Sequence, residues 1–222
     1  MAPQGSPGSP SSARPSYVPA AGVDWLLPLY DPLCRLLGAH RYRERLLDAA
    51  DLRPGVRVLD LGCGTGALSL QAKAREPGIQ LTGLDPDPKA LARARAKAAR
   101  AGVDVRFEQG FGDALPFRDA SFDRVVSSLV FHHLTAQTKC DTLREVARVL
   151  VPGGTLHVLD FGPPRGALDR ILLSLFHRDE RLDDNLAGRI PALMEEAGLR
   201  DATTVASLRS PFGRLALWRA TR

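Results

Sequence analysis

A strand-like apolar run that ends in an acid and three spaced glycines constrains this chain more than any other feature. The segment 58–66 reads VLDLGCGTG. Its acid is Asp60, and its glycines are Gly62, Gly64 and Gly66. Glycines at this spacing let a strand turn sharply into a helix and let the backbone come close to a bound molecule. The segment therefore predicts a strand–turn–helix unit with a ligand at the turn.

Asp60 indicates which class of ligand fits this turn. The dinucleotide pattern Gly-x-Gly-x-x-Gly/Ala is also met here, by Gly62, Gly64 and Ala67. A pyrophosphate at this position would meet a fixed negative charge, whereas an ammonium group would be attracted to it. S-adenosylmethionine (SAM) carries an ammonium and a sulfonium and has no phosphate. The acid therefore favours SAM over a phosphorylated coenzyme.

Further motifs follow the glycine turn in a fixed order. They read GLDPD at 83–87, DALPF at 113–117, SFD at 121–123, HHL at 132–134 and RVLVPGG at 148–154. With the glycine turn, this set resembles the class I SAM-dependent methyltransferases over about residues 53–161, and the tail is compatible with them. It is most similar to the small-molecule and lipid methyltransferases, including those of quinone biosynthesis. The resemblance implies an enzyme that passes a methyl group from SAM to a small-molecule or lipid-like acceptor.

Alternating strand-like and helix-like segments predict an α/β fold. The predicted strands are Arg57–Leu61, Gln80–Asp85, Val103–Gln109, Phe122–Ser128, Thr155–Phe161, Asp201–Leu208 and Leu215–Ala220. The predicted helices are 40–50, Ala67–Arg75, Lys89–Ala101, Thr138–Val149 and Leu186–Ala197. Repeated strand–helix units imply a doubly wound, mostly parallel sheet with helices on both faces. The last two strands have no helix between them and should pair antiparallel, which matches the Rossmann-like order 3-2-1-4-5-7-6 that the resemblance implies.

Length and composition indicate one globular domain behind an N-terminal tail. The chain has 222 residues, of which 44% are hydrophobic and 25% charged, and this is enough for one substantial core. Residues 1–22 are rich in Pro, Ser, Gly and Ala and are expected to be a disordered tail. Residues 23–222 are expected to form the methyltransferase domain. Within it, 23–52 and 162–185 carry apolar residues at helical spacing and are expected to form an N-terminal helical lid and a short lid insertion.

Charge and cysteine content bear on partners and location. The net charge of +5 would suit nucleic acid or an anionic membrane surface. The basic residues along one side of helix 89–101 fit an ordinary solvent-exposed helix face, so no nucleic-acid partner is expected. Peripheral membrane contact stays open. No apolar run approaches the roughly 18 residues that span a bilayer, and no secretory signal is visible. Three cysteines without metal-ligand spacing favour a cytoplasmic protein with no metal site. The oligomeric state stays open.

Carboxyl ends of the first four strands are expected to hold the cofactor. Asp85 follows the second strand, where an acid can accept hydrogen bonds from both ribose hydroxyls. In the resembled family the loop after the third strand grips adenine, and here either Asp113 reaches the exocyclic amine or Phe111 stacks on the ring. Tyr30 is a candidate to close over the cofactor. The cofactor-binding residues are predicted to be Asp60, Gly62, Cys63, Gly64, Thr65, Gly66, Asp85, Pro86, Gly112, Asp113, Ala114, Ser128, Leu129 and Tyr30.

His132 and His133 follow the fourth strand and are the candidate catalytic residues. A histidine there could take a proton from a hydroxyl or phenol as the methyl group arrives. An amine or thiol acceptor would not need it, because the sulfonium is already a good leaving group and the enzyme mainly aligns the reactants for in-line displacement. Two other interpretations stay open: a membrane-surface lipid N-methyltransferase, and a non-catalytic SAM-binding regulatory protein. An NAD-dependent dehydrogenase ranks behind them.

Overall fold

The computed structural model describes residues 38–166, 169, 180–211 and 213–222. The predicted tail, residues 23–37 of the predicted N-terminal lid and most of the lid insertion lie outside the described residues. Tyr30 lies outside them as well.

Six α-helices and seven strands make up most of the described part of the chain. The helices are α1 (Ala39–Ala50), α2 (Ala67–Arg75), α3 (Pro88–Ala101), α4 (Ala136–Val149), α5 (Asp183–Leu186) and α6 (Ile190–Glu196). The strands are β1 (Arg57–Leu61), β2 (Gln80–Asp85), β3 (Arg106–Gln109), β4 (Phe122–Ser128), β5 (Leu150–Phe161), β6 (Arg200–Ser210) and β7 (Gly213–Thr221). Two short 3₁₀ turns, Phe131–His133 and Glu180–Leu182, complete the set.

All seven described strands form one sheet in the order β3-β2-β1-β4-β5-β7-β6. β1 lies parallel to β2 and β4, and β3 and β5 extend the parallel part. β7 runs antiparallel to both of its neighbours, β5 and β6. The predicted fold class, strand order and single antiparallel strand are confirmed. This arrangement brings the carboxyl ends of β1 to β5 to one edge of the sheet, where the strand order reverses around β1 and β4.

Local chemistry sets the helix boundaries. Asp87 caps α3, because its side chain accepts a hydrogen bond from the Lys89 N–H at 2.8 Å and Pro88 occupies the first helical position. Gly102 ends α3 in the left-handed conformation, with φ of +62°. The N–H of Val103 then returns to the helix, so β3 begins later than the sequence predicts.

Two other predicted elements differ from the structure by more than two residues at one end. The single helix predicted over Leu186–Ala197 is wrong, since Gly188 has a φ of +72° and separates α5 from α6. β5 begins at Leu150 rather than Thr155, because Leu150 already pairs with Phe122 of β4. Neither difference moves a carboxyl strand end.

Buried side chains cover both faces of the sheet. One cluster joins strand residues to α4 and α6, including Leu143, Val146 and the fully buried Trp218. A second joins α1 and α2 to the opposite side of the strands through residues such as Leu46 and Leu47. This burial fixes the strand ends that carry the site. Within the described residues, no helix has the length and apolar character needed to cross a membrane.

Candidate active site

A cavity of about 430 Å³ opens at the carboxyl edge of the sheet. Its walls come from the glycine turn after β1, the end of β2, the loop after β3, the segment after β4 and one face of α4. Of the predicted site residues it contains Asp60, Gly62, Cys63, Gly64, Thr65, Asp85, Pro86, Gly112, Asp113, Ala114, Ser128, Leu129 and His133. Gly66 and His132 do not line it.

Three different constraints explain the three glycines of the turn. Gly62 has a φ of +72°, and a Cβ there would collide with the Val130 side chain. Gly64 has a φ of +51° and no atom within 4 Å of the place where a Cβ would stand, so a side chain would occupy open cavity space. Gly66 has a φ of +75°, and its Cβ would lie 2.9 Å from that of Ala94 on α3. Gly64 therefore keeps the cavity clear, whereas Gly66 serves helix packing.

Asp85 is fixed by two backbone hydrogen bonds at the cavity wall. Its Oδ2 accepts from the Gly64 N–H at 2.8 Å, and its Oδ1 accepts from the Asp87 N–H at 2.9 Å. Burial raises the pKa of this carboxyl, while the two backbone bonds oppose the shift. Each oxygen of an ionised carboxylate can accept a further hydrogen bond. Its position and acceptor capacity suit a vicinal diol such as a ribose.

Asp60 is a buried acid whose ionised form a positively charged ligand group would stabilise. It is 1% exposed, and its Oδ2 accepts a hydrogen bond from the Ser69 hydroxyl at 2.5 Å. Burial raises its pKa to about 7; the nearby Asp85 adds to this, while Ser69 and the Arg43 charge oppose it. A ligand ammonium in the cavity would favour the ionised carboxylate. The site therefore fits SAM. Asp60 can pair with the ammonium, Asp85 can accept from the ribose diol, and the space over Gly64 is open.

Comparisons with known proteins agree with this chemistry. A family model described as a methyltransferase domain matches residues 58–154. A demethylmenaquinone methyltransferase from Thermus thermophilus is 43% identical over 157 residues, which are 69% of this chain and 70% of that protein. The chain belongs to the class I SAM-dependent methyltransferases.

Two further proteins bear on this methyltransferase. A demethylmenaquinone methyltransferase from Deinococcus radiodurans is 38% identical over 154 residues, 68% of this chain and 63% of that protein. The crystal structure of the YcgJ protein from Bacillus subtilis has a TM-score of 0.67 at 22% identity and covers 82% of this chain and 98% of that one. The second likeness concerns the fold alone. The protein is thus a methyltransferase enzyme with SAM as its cofactor.

The structure separates the two candidate histidines of the methyltransferase. His133 lines the cavity, whereas His132 points to Asp160 at the end of β5. His132 Nδ1 lies 2.8 Å from Asp160 Oδ1, and its ring packs edge-on against Phe161 with centroids 5.0 Å apart. Burial would raise the pKa of Asp160, but the His132 contact and hydrogen bonds from two backbone N–H groups hold it below its usual value. An ionised Asp160 therefore keeps a proton on His132 Nδ1.

The loop after β3 contributes both residues that sequence reasoning left as alternatives. Phe111 and Asp113 line the cavity, and Phe111 forms an antiparallel bridge with Ala114 that closes the loop. A Cβ on Gly112 would lie 3.0 Å from Thr142 of α4, so the loop packs closely against that helix. Adenine recognition by Gly112 and Asp113 stays a prediction.

Sequence reasoning missed several residues of this site. Arg43 of α1 and Arg181 both line the cavity, Ser69 holds Asp60, and Asp160 orients His132. Only Asp160 had a local signal, since it follows the apolar run of β5 as Asp60 follows that of β1. The others come from helices and a 3₁₀ turn whose faces toward the cavity depend on packing.

Cys63 lines the cavity without the properties of a nucleophile. The residue is 7% exposed, and burial together with the nearby Asp60 and Asp85 charges raises the pKa of its thiol. A thiol with a raised pKa stays protonated and unreactive near neutral pH. The described residues also contain no group of side chains that could hold a metal ion.

Proposed function

We propose that this methyltransferase transfers the methyl group of SAM to a small, quinone-like acceptor by in-line displacement. One observation carries the proposal: a single cavity is lined both by the two acids suited to the cofactor and by His133, a group able to accept a proton. The names of its relatives support the acceptor class, because two of them are demethylmenaquinone methyltransferases. Peripheral contact with a membrane would suit an acceptor of this lipid-like kind.

The cofactor is proposed to lie along the carboxyl edge from β1 to β3. Asp60 would pair with the ammonium, Asp85 would accept from the ribose hydroxyls, and the loop around Asp113 would hold adenine. The backbone of Ser128 and Leu129 would border the methionine part, opposite the open space over Gly64. Leu129 has a φ of +59°, a strained conformation for a branched side chain that is held by the surrounding structure at the end of β4. When bound, SAM supplies an electrophilic methyl group and a neutral leaving group.

His133 is proposed to accept the proton of an acceptor hydroxyl during transfer. It lies on the cavity wall, and its ring centroid is 3.9 Å from that of His132. His132 and Asp160 would hold this segment in place as positioning residues, since the Asp160 carboxylate accepts from both the backbone and the ring of His132. The described parts of the two predicted lid segments contribute Ala39, Arg43 and Arg181 to the cavity wall, and these residues are proposed to help exclude water from it, as closing segments do in other enzymes.

The direct test combines cofactor binding with transfer of a labelled methyl group. Replacing Asp85 with Ala should weaken SAM binding by more than about tenfold, because hydrogen bonds to a charged acceptor contribute about 1.5–3 kcal/mol. Replacing the exposed Asp104 with Ala removes the same charge away from the cavity and should leave the dissociation constant unchanged. An unchanged constant for the Asp85 variant would contradict the ribose assignment.

Transfer itself should be measured with a short-chain demethylmenaquinol and isotopically labelled SAM. We expect label in the quinol product, and His133→Gln should lower the rate and remove one ionisation from its pH profile. An unchanged profile would exclude His133 as the base. SAM binding without transfer to any acceptor of a hydroxyl, amine and thiol panel would instead favour a regulatory SAM-binding protein.

A further inference from the structure

Two permanent cations lie in different parts of the cavity. Among the described residues that line it, these are Arg43 and Arg181. Arg43 belongs to the cofactor end, because its charge is close enough to Asp60 to oppose part of the rise in the pKa of that carboxyl. Its Nε donates to Gln71 Oε1 at 3.2 Å. Arg181 lies in the 3₁₀ turn Glu180–Leu182, which packs against the turn that carries His133. The second cation is therefore on the side of the proposed proton acceptor.

A buried lysine fixes the backbone from which Arg181 extends. Lys139 of α4 is fully buried, and its Nζ donates to the Arg181 carbonyl at 2.6 Å. The same ammonium lies 3.3 Å from Asp184 Oδ2. A few residues on, Asn185 Nδ2 donates to the Phe161 carbonyl at 3.3 Å, which ties this segment to the end of β5. A buried charge is costly unless it is paired, so this network holds the turn firmly at the cavity.

We propose that Arg181 binds the ionised hydroxyl of the methyl acceptor. This inference rests on the proposed function and specifies its substrate: an acceptor with an acidic hydroxyl, such as a phenol or a hydroquinone, rather than an amine or a thiol. A guanidinium presents several N–H donors in a fixed plane and stays charged throughout the pH range of proteins, so it stabilises an oxyanion without taking part in proton transfer. The turns that carry Arg181 and His133 pack against each other and both residues line the cavity, so the proton acceptor and the oxyanion partner would face the same acceptor.

The step balances with these two residues and the cofactor. The acceptor O–H bond breaks, its proton goes to an unprotonated ring nitrogen of His133, and the negative charge on oxygen is matched by Arg181. The acceptor's electron pair then forms the bond to the methyl group. The methyl–sulfur bond breaks, and its electrons stay on sulfur as a neutral thioether. Where the new bond is made at a ring carbon, that carbon loses its hydrogen as a proton to water.

The role of Arg181 can be tested without turnover by measuring how tightly unreactive acceptor analogues bind. The full chain, saturated with S-adenosylhomocysteine, is titrated with 2-hydroxy-1,4-naphthoquinone, which is an anion at neutral pH, and with its neutral 2-methoxy analogue. We expect the anion to bind at least about tenfold more tightly, as for hydrogen bonds to a charged partner. Arg181→Met should abolish this preference, and Arg181→Lys should keep part of it. Arg144→Met removes a cation from the exposed face of α4, where its side chain is 60% exposed, and should keep the full preference.

The outcomes separate this inference from the proposed function. Equal binding of the two analogues by the unmodified protein, or an intact preference in Arg181→Met, would overturn the role of Arg181 and leave methyl transfer standing. Binding of neither analogue would reject the quinone-like acceptor together with this inference. Each variant's melting temperature and its affinity for S-adenosylhomocysteine should match those of the unmodified protein, because Arg181 extends from a backbone held by Lys139.

Discussion

Replacing Asp60 with Asn should remove a pH dependence from cofactor binding. The Asp60 carboxyl is fully buried, and its pKa is raised from 3.8 to about 7, mainly by burial. The difference corresponds to roughly 4 kcal/mol for charging this group inside the protein. A ligand ammonium interacts favourably with the ionised form only, so binding and ionisation of Asp60 are coupled.

The size of the effect follows from the ionised fraction. With a pKa of about 7, Asp60 is about half ionised at pH 7 and about one-tenth ionised at pH 6. The affinity should therefore rise as the pH rises and fall about fivefold from pH 7 to pH 6. Binding at pH 7 should release about half a proton to the buffer, since the bound state holds the carboxylate ionised.

Isothermal titration calorimetry with S-adenosylhomocysteine measures both quantities. This product keeps the ammonium of SAM and is chemically stable. Titrations in two buffers with different ionisation enthalpies give the number of protons released. Asp60→Asn keeps the shape of the side chain, should weaken binding at pH 7, and should show neither the proton release nor the pH slope. His133→Gln is the matched control, because it removes another titratable group of the cavity and should keep both.

Two results would refute this reasoning. One is an affinity for the unmodified protein that stays constant between pH 6 and pH 7. The other is proton release by Asp60→Asn equal to that of the unmodified protein, which would assign the titration to a different group. Either result would remove the argument that a buried acid at the glycine turn selects an ammonium-bearing cofactor.

Two further predictions concern the glycine turn and a buried histidine. Gly64→Ala should lower the free energy of unfolding by only about 1–2 kcal/mol, the usual cost of positive φ, yet it should weaken S-adenosylhomocysteine binding. Gly66→Ala should lower the free energy of unfolding by about 3 kcal/mol, because its Cβ also meets Ala94. Urea unfolding and calorimetry check this, and equal stability losses would contradict it. Burial, with the Arg219 and Arg124 charges, lowers the pKa of His157 to about 3. As the pH drops below about 6.5, the histidine is protonated in the unfolded chain but not in the folded protein, so the free energy of unfolding should fall. Between pH 6.5 and 4.5 the loss should be about 2 kcal/mol, and His157→Gln should show less of it; an identical pH dependence would exclude His157 as the cause.

Local sequence was enough where a glycine or an acid ends an apolar run. β1, α2 and β2 have the predicted boundaries, because the strands are buried apolar runs and the glycine turn between β1 and α2 admits one chain path. Prediction failed at the start of β5, because pairing with the distant Phe122 extends this strand to Leu150. It also failed at Gly188, whose left-handed conformation separates two short helices where one was predicted.

The candidate site divides in the same way. Asp60 and Asp85 could be predicted because the carboxyl ends of neighbouring parallel strands meet at one edge of the sheet. The two adjacent histidines could not be told apart from sequence, since only the fold places Asp160 beside His132 and turns His133 toward the cavity.

The sequence alone determined the family of folds, the cofactor class and the two acids of the cavity, because these depend on short-range order within strand–turn–helix units. Only the tertiary structure shows which histidine lines the cavity and what each glycine of the turn contacts. It also shows that the turn carrying Arg181, held by the buried Lys139, packs against the turn carrying His133. These features join residues far apart in the chain, and their positions depend on how helices pack against the sheet rather than on any local pattern.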